Sequence, residues 1–212
     1  MALSESQIIQ DIRDGVYHEI GHVIATKICF PAEDRLDCIR FYKKENGSYG
    51  MAEIWKDSIK FNAYTQLDAI TKVTLSGGIF QQMKSLYRDL KEGQLHFSMK
   101  EKIIYTFNKP KAYKSFFQRY VNPMDRTMTE DLGMILATYK TLIEHKKISS
   151  GLDFEKAKSD CINYLLSFID SSEIDELCDY CTKTFWEAGQ NRLSSVDIPE
   201  TTIMKYIGTL FC

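Results

Sequence analysis

The 212-residue sequence predicts an α+β fold that is mainly α-helical, with a small β-hairpin or sheet and a helical C-terminal part. Three observations carry that expectation. An apolar stripe at helical spacing runs over residues 5–28, two short strand-like runs flank a turn within 36–55, and helical periodicity returns from residue 127 onward. A chain of this length can bury a sizeable core without needing a metal to hold it together.

Ser4 followed by Gln7 has the form of a capping box, and Ile8, Ile9, Ile12, Val16, Ile20, Val23 and Ile24 then recur on one helical face. Phe30-Pro31 ends this helix, because proline disfavours helical geometry in the residue before it. The run Leu-Asp-Cys-Ile-Arg-Phe at 36–41 reads as a strand. Glu45-Asn46-Gly47-Ser48 supplies a turn into a second strand at 49–55. Residues 62–87 carry Leu67, Ile70, Val73, Leu75, Ile79, Phe80 and Met83, which suits a buried helix pair or one helix relaxed at Gly77-Gly78.

Residues 88–120 mix lysines with Phe97, Tyr105, Phe107, Tyr113, Phe116, Phe117 and Tyr120, with Pro110 breaking the middle. They read as a helical insertion with aromatics inward and lysines solvated; stacking on single-stranded nucleic acid is the weaker reading. Helical periodicity fills 127–146 and 154–186, punctuated by Gly151 and Ser171-Ser172.

An apolar fraction of 44% with 26% charged residues is that of an ordinary globular protein, and a net charge of -2 gives no global field for nucleic acid or an anionic membrane. No secretory signal and no membrane span is read in the chain, and six cysteines are too sparse for a disulfide framework. The expected location is cytoplasmic with reduced thiols. Cys178-Asp179-Tyr180-Cys181 has C-x-x-C spacing, but it falls in a helical pattern with no second half-site, so a structural role is expected.

The segment that carries chemistry is His18-Glu19-Ile20-Gly21-His22. Histidines four apart lie on one helical face with β-carbons about 5–6 Å apart, so both imidazoles can reach one ion. Zn2+ accepts imidazole and carboxylate ligands in a tetrahedral site that keeps one position for water. Glu19 is placed to act as general base on that water rather than as a ligand. A third ligand must come from elsewhere, and periodicity nominates Glu53, Asp68, Asp125, Glu130 and Asp131 without choosing among them.

Beyond the five residues, Val16-Tyr17-His18-Glu19-Ile20-Gly21-His22-Val23 resembles the V-A-Y-H-E-A-G-H-A of the FtsH family of ATP-dependent zinc metalloproteases. Ile39-Arg40-Phe41 and Tyr49-Gly50-Met51 are similar to that family's strand pair, and residues 68–77 to the helix entering its L-x-G-G-R-A-A-E-E-L. Thr127-Met128-Thr129-Glu130-Asp131-Leu132 resembles T-G-A-x-N-D-L, whose aspartate is the family's third zinc ligand. The resemblance thus implies a zincin-like peptidase fold, with His18, His22 and Asp131 holding zinc, Glu19 activating water, and Asp125 in reserve as ligand. It also implies that an extended peptide binds along Tyr49, Gly50 and Met51, where Gly50 either permits close approach or marks a bulge in the strand.

The departures are as specific as the matches. Gln81-Gln82 replace paired glutamates, 88–120 lengthens the path to Asp131, and no G-x-x-x-x-G-K-[ST] or membrane anchor is read. The chain is accordingly expected to comprise a metallopeptidase-like core at 1–146 and a helical segment at 147–212 packed on it. The expected activity is ATP-independent cleavage of unfolded or flexible polypeptides, with a separate ATPase or a second copy of the chain as candidate partners. The rival expectation is a catalytically inactive relative that keeps the fold, with or without the metal, for binding or regulation.

Overall fold

The computed structural model describes residues 4–31, 36–46, 48–55, 67–94, 110–122, 129–144 and 153–211. His96, Phe97, Tyr105, Phe107, Asp125, His145 and Gly151 lie outside that set. The chain is mainly helical with one small antiparallel sheet, and it forms two compact units, Met1–Lys60 with Asp170–Cys212, and Phe61–Ile169. Among the described residues, no helix is long and apolar enough to cross a membrane.

The first unit opens with α1 (Glu5–Cys29). Both halves of the capping box form, since Gln7 N–H donates to Ser4 Oγ and Ser4 N–H donates to Gln7 Oε1 at 2.8 Å. Phe30 caps its C-terminal end, immediately before Pro31. Strands β1 (Leu36–Lys43) and β2 (Tyr49–Trp55) follow as the expected hairpin. β3 (Ser195–Pro199) then pairs antiparallel with β1, giving the order β2-β1-β3. This third strand sits in the part expected to be helical throughout. Its five residues, Ser-Val-Asp-Ile-Pro, alternate over only four positions before proline, the shortest stretch in which a period of two can be read.

Helix α6 (Ser172–Gln190) is capped by Ser171, whose side chain accepts from Ile174 N–H. It buries Ile174, Leu177, Cys178, Cys181 and Phe185, and packs along α1. Ile20, Val23 and Ile24 of α1 and Ile39 and Phe41 of β1 are buried in the same unit, as are Ile203 and Ile207 of α7 (Glu200–Ile207). Polar ties between α1 and α6 include an ion pair of Arg13 with Asp179, a bond from Tyr17 Oη to Asp175 Oδ1 at 3.0 Å, and the Cys178 thiol on Arg13 C=O at 3.7 Å. Burial, then the neighbouring Cys178 and Asp175, push the Tyr17 phenol far above its ordinary value, so it remains a neutral donor. These ties set the rotation of α1 about its own axis.

In the second unit α2 (Leu67–Lys91) is one continuous helix through the buried Gly77-Gly78 pair. It ends where Gly93, at φ 70°, takes the left-handed conformation and Gln94 N–H reaches back to Asp89 C=O at 2.9 Å. α3 (Pro110–Tyr120) begins at Pro110, which therefore starts a helix rather than breaking one; a first-turn position loses nothing by lacking an N–H. Phe116 and Phe117 turn inward from α3. α4 (Thr129–Glu144) and α5 (Phe154–Leu165) complete the unit, and α5 packs on α2 with Cys161, Ile162 and Leu165 buried. Lys72 of α2 is clasped by Asp68 at 2.6 Å and by Asp160 of α5 at 3.0 Å. Gln82 is an amide clamp on the chain leaving α3: its Nε2 donates to Asn122 C=O at 3.0 Å and its Oε1 accepts from Asn122 N–H at 2.8 Å. A glutamate could accept but not donate there.

Candidate metal centre

His18, Glu19 and His22 occupy consecutive turns of α1, with Glu19 and His22 buried and His18 half-buried. The helix places the two imidazoles on one face, edge to face with ring centroids 4.8 Å apart and planes at 77°. Their Nε2 atoms are 3.1 Å apart. Two ligands held about 2.0–2.1 Å from one tetrahedral zinc are separated by roughly 3.3 Å, so the nitrogens already have the spacing of a shared ion. Asp131, the carboxylate that the resemblance nominates, lies on α4 of the second unit. Two imidazoles and a carboxylate are a donor set that suits zinc.

The other nominated ligands fall differently. Asp68 is exposed and committed to Lys72, Asp125 lies outside the described residues, and nothing is described of the Glu130 side chain.

Glu53 comes to the site from β2. Its backbone N–H donates to Glu19 Oε2 at 3.1 Å. Burial alone would raise the Glu53 carboxyl. The His22 and His18 imidazoles draw it the other way, and the group is held below the ordinary glutamate value. Spacing nominated Glu53 only as a ligand; its contact with Glu19 was not foreseen. The signal was present in the alternation, because Tyr49, Met51 and Glu53 share one face of β2, and a charged residue in that series requires a polar counterpart.

The strand residues expected to meet a peptide point largely into their own unit. The Tyr49 ring stacks on Phe41 at 4.6 Å and 6°, and Phe41 stacks on Phe185 at 5.1 Å and 10°. Met51 lies over Gly15 of α1, where an added Cβ would come within 2.1 Å of the Met51 methyl. The space beside Gly50 is taken by Lys44 and the ring of its cross-strand partner Tyr42.

The backbone of β2 faces outward at alternate residues. Lys44 N–H donates to Ser48 C=O at 2.7 Å, so counting by twos along the pair makes Tyr42–Gly50 and Arg40–Ala52 the hydrogen-bonded partners. Met51 and Glu53, opposite Phe41 and Ile39, therefore direct N–H and C=O away from β1. β2 is an outer strand of the sheet, and its outward edge at Glu53 faces Glu19.

Both C-x-x-C thiols are buried in α6. Burial pushes Cys178 up to about 12 and Cys181 higher still, so both are packed, protonated thiols.

Comparison of the chain with protein-family models, with curated proteins and with solved structures found no match.

Proposed function

We propose that the chain is a zinc-dependent peptidase that hydrolyses peptide bonds in unfolded or flexible polypeptides. The observation that carries this reading is the pair His18 and His22 on one face of α1, with Nε2 atoms 3.1 Å apart and Glu19 buried on the same helix between them. The FtsH-like motif around Glu19 supports it, and the fold features of a zincin-like peptidase belong to the same proposal.

When bound, zinc would lower the pKa of a coordinated water to about 7 and polarise the scissile carbonyl. His18 and His22 would hold the ion through Nε2, and Asp131 through a carboxylate oxygen. Glu19 takes the proton released as the water attacks, and returns it to the amine as the peptide bond breaks. An extended substrate would lie along the outer edge of β2. Because Glu53 N–H is engaged by Glu19, Met51 is the residue whose outward N–H and C=O would pair with the peptide. A folded substrate would need unfolding by another protein, and an ATPase partner belongs to this proposal on that ground.

Casein is the direct probe, as an unfolded protein rich in extended segments. Hydrolysis is expected to stop when zinc is stripped with 1,10-phenanthroline and to return when zinc is restored. Cleavage that persists without metal, or no cleavage by zinc-loaded protein, would overturn the peptidase reading.

A further inference from the structure

Resting on the peptidase reading, we infer that the Glu53 peptide N–H is a positioning group for Glu19, holding the general base in its working orientation from the edge of β2. A glutamate side chain has three rotatable bonds, and a base must be set within hydrogen-bond reach of the proton it takes. Two features of the fold supply that constraint. α1 packs along α6, where Tyr17 Oη donates to Asp175 Oδ1 at 3.0 Å within one turn of Glu19. From β2, the Glu53 N–H meets Oε2 at 3.1 Å, a hydrogen bond to a charged acceptor.

The strand register makes this donor available. Ile39–Glu53 is a non-hydrogen-bonded pair of the β1–β2 ladder, so the Glu53 N–H has no role in holding the sheet. Met51, two residues earlier on the same face, lies over Gly15 on the preceding turn of α1 and brings the strand close to the helix. The small residue at position 15 and the register of β2 therefore serve one geometric end.

Because the donor is a backbone group, side-chain replacement alone does not remove it. Glu53→Pro does, and an outward-facing position on an outer strand is where proline is tolerated without loss of a ladder bond. Glu53→Ala is the matched control, since it lacks the carboxylate but keeps the N–H. With zinc-loaded full chain and a casein-derived peptide, kcat is expected to fall a further 10–100-fold or so in Glu53→Pro relative to Glu53→Ala, at similar KM and zinc affinity. Equal kcat in the two variants overturns the inference.

A second measurement does not depend on activity. In the metal-free chain, hydrogen exchange at the Glu53 amide is expected to speed up roughly tenfold or more in Glu19→Ala, and to stay slow in Glu19→Gln, whose amide oxygen still accepts. Exchange that ignores Glu19→Ala overturns the contact itself. Wild-type protein that binds zinc but cuts nothing overturns the peptidase reading and the catalytic role with it, whereas cleaving protein with equal Pro and Ala variants overturns the positioning role alone.

Discussion

Replacing Glu19 by glutamine is expected to slow casein hydrolysis by roughly 10²–10⁴-fold while zinc remains bound, the range lost when a positioned general base is removed. The substitution is close to isosteric. The glutamine oxygen can still accept from Glu53 N–H, so the buried environment of the side chain keeps a partner. The proposed ligands His18, His22 and Asp131 are untouched, which is why metal content should not change. What disappears is the proton acceptor. Measuring turnover and zinc on the same preparation separates these effects, and unchanged turnover would remove Glu19 from the role assigned to it.

The largest expected loss of stability comes from Phe185→Ala, at about 3–5 kcal/mol. Phe185 is fully buried on α6, and its ring stacks on Phe41, which in turn stacks on Tyr49. Truncation opens a cavity under the middle strand of the sheet and leaves the Phe41 ring without support on one side. Against a typical total of about 5–15 kcal/mol, such a loss is severe. Urea unfolding followed by circular dichroism should show a much lower midpoint, and a shift within about 0.5 kcal/mol of wild type would contradict the packing described. The same stack explains why the Tyr49 ring contributes to the sheet's inner face.

Much of the site was legible in the residues themselves. Ser4 with Gln7 started α1, Pro31 ended it, and the interval between His18 and His22 fixed their common face, all through local rules of helix geometry. The hairpin was legible for the same reason, since turn chemistry and a period of two act over a few residues. Asp131 was one of five carboxylates that periodicity nominated, and a resemblance across a long insertion, not any local spacing, singled it out. Glu53 shows where sequence runs out, because its tie to Glu19 depends on which edge of β2 faces α1, a tertiary fact. β3 was missed for a related cause: Ser195–Pro199 is a strand chiefly because β1 offers it an edge. Pro110 was read as a break because a proline inside an aromatic-rich run looks the same whether it interrupts a helix or begins one.

The measurement closest to the central claim is the zinc content of full-length protein purified without a histidine tag, compared with His18→Ala and His22→Ala. The expected result is about one zinc per chain in the wild type, and metal lost from both variants while circular dichroism shows the fold retained. Wild-type protein free of zinc and unable to take it up, or histidine variants that bind it as well as wild type, would contradict the account.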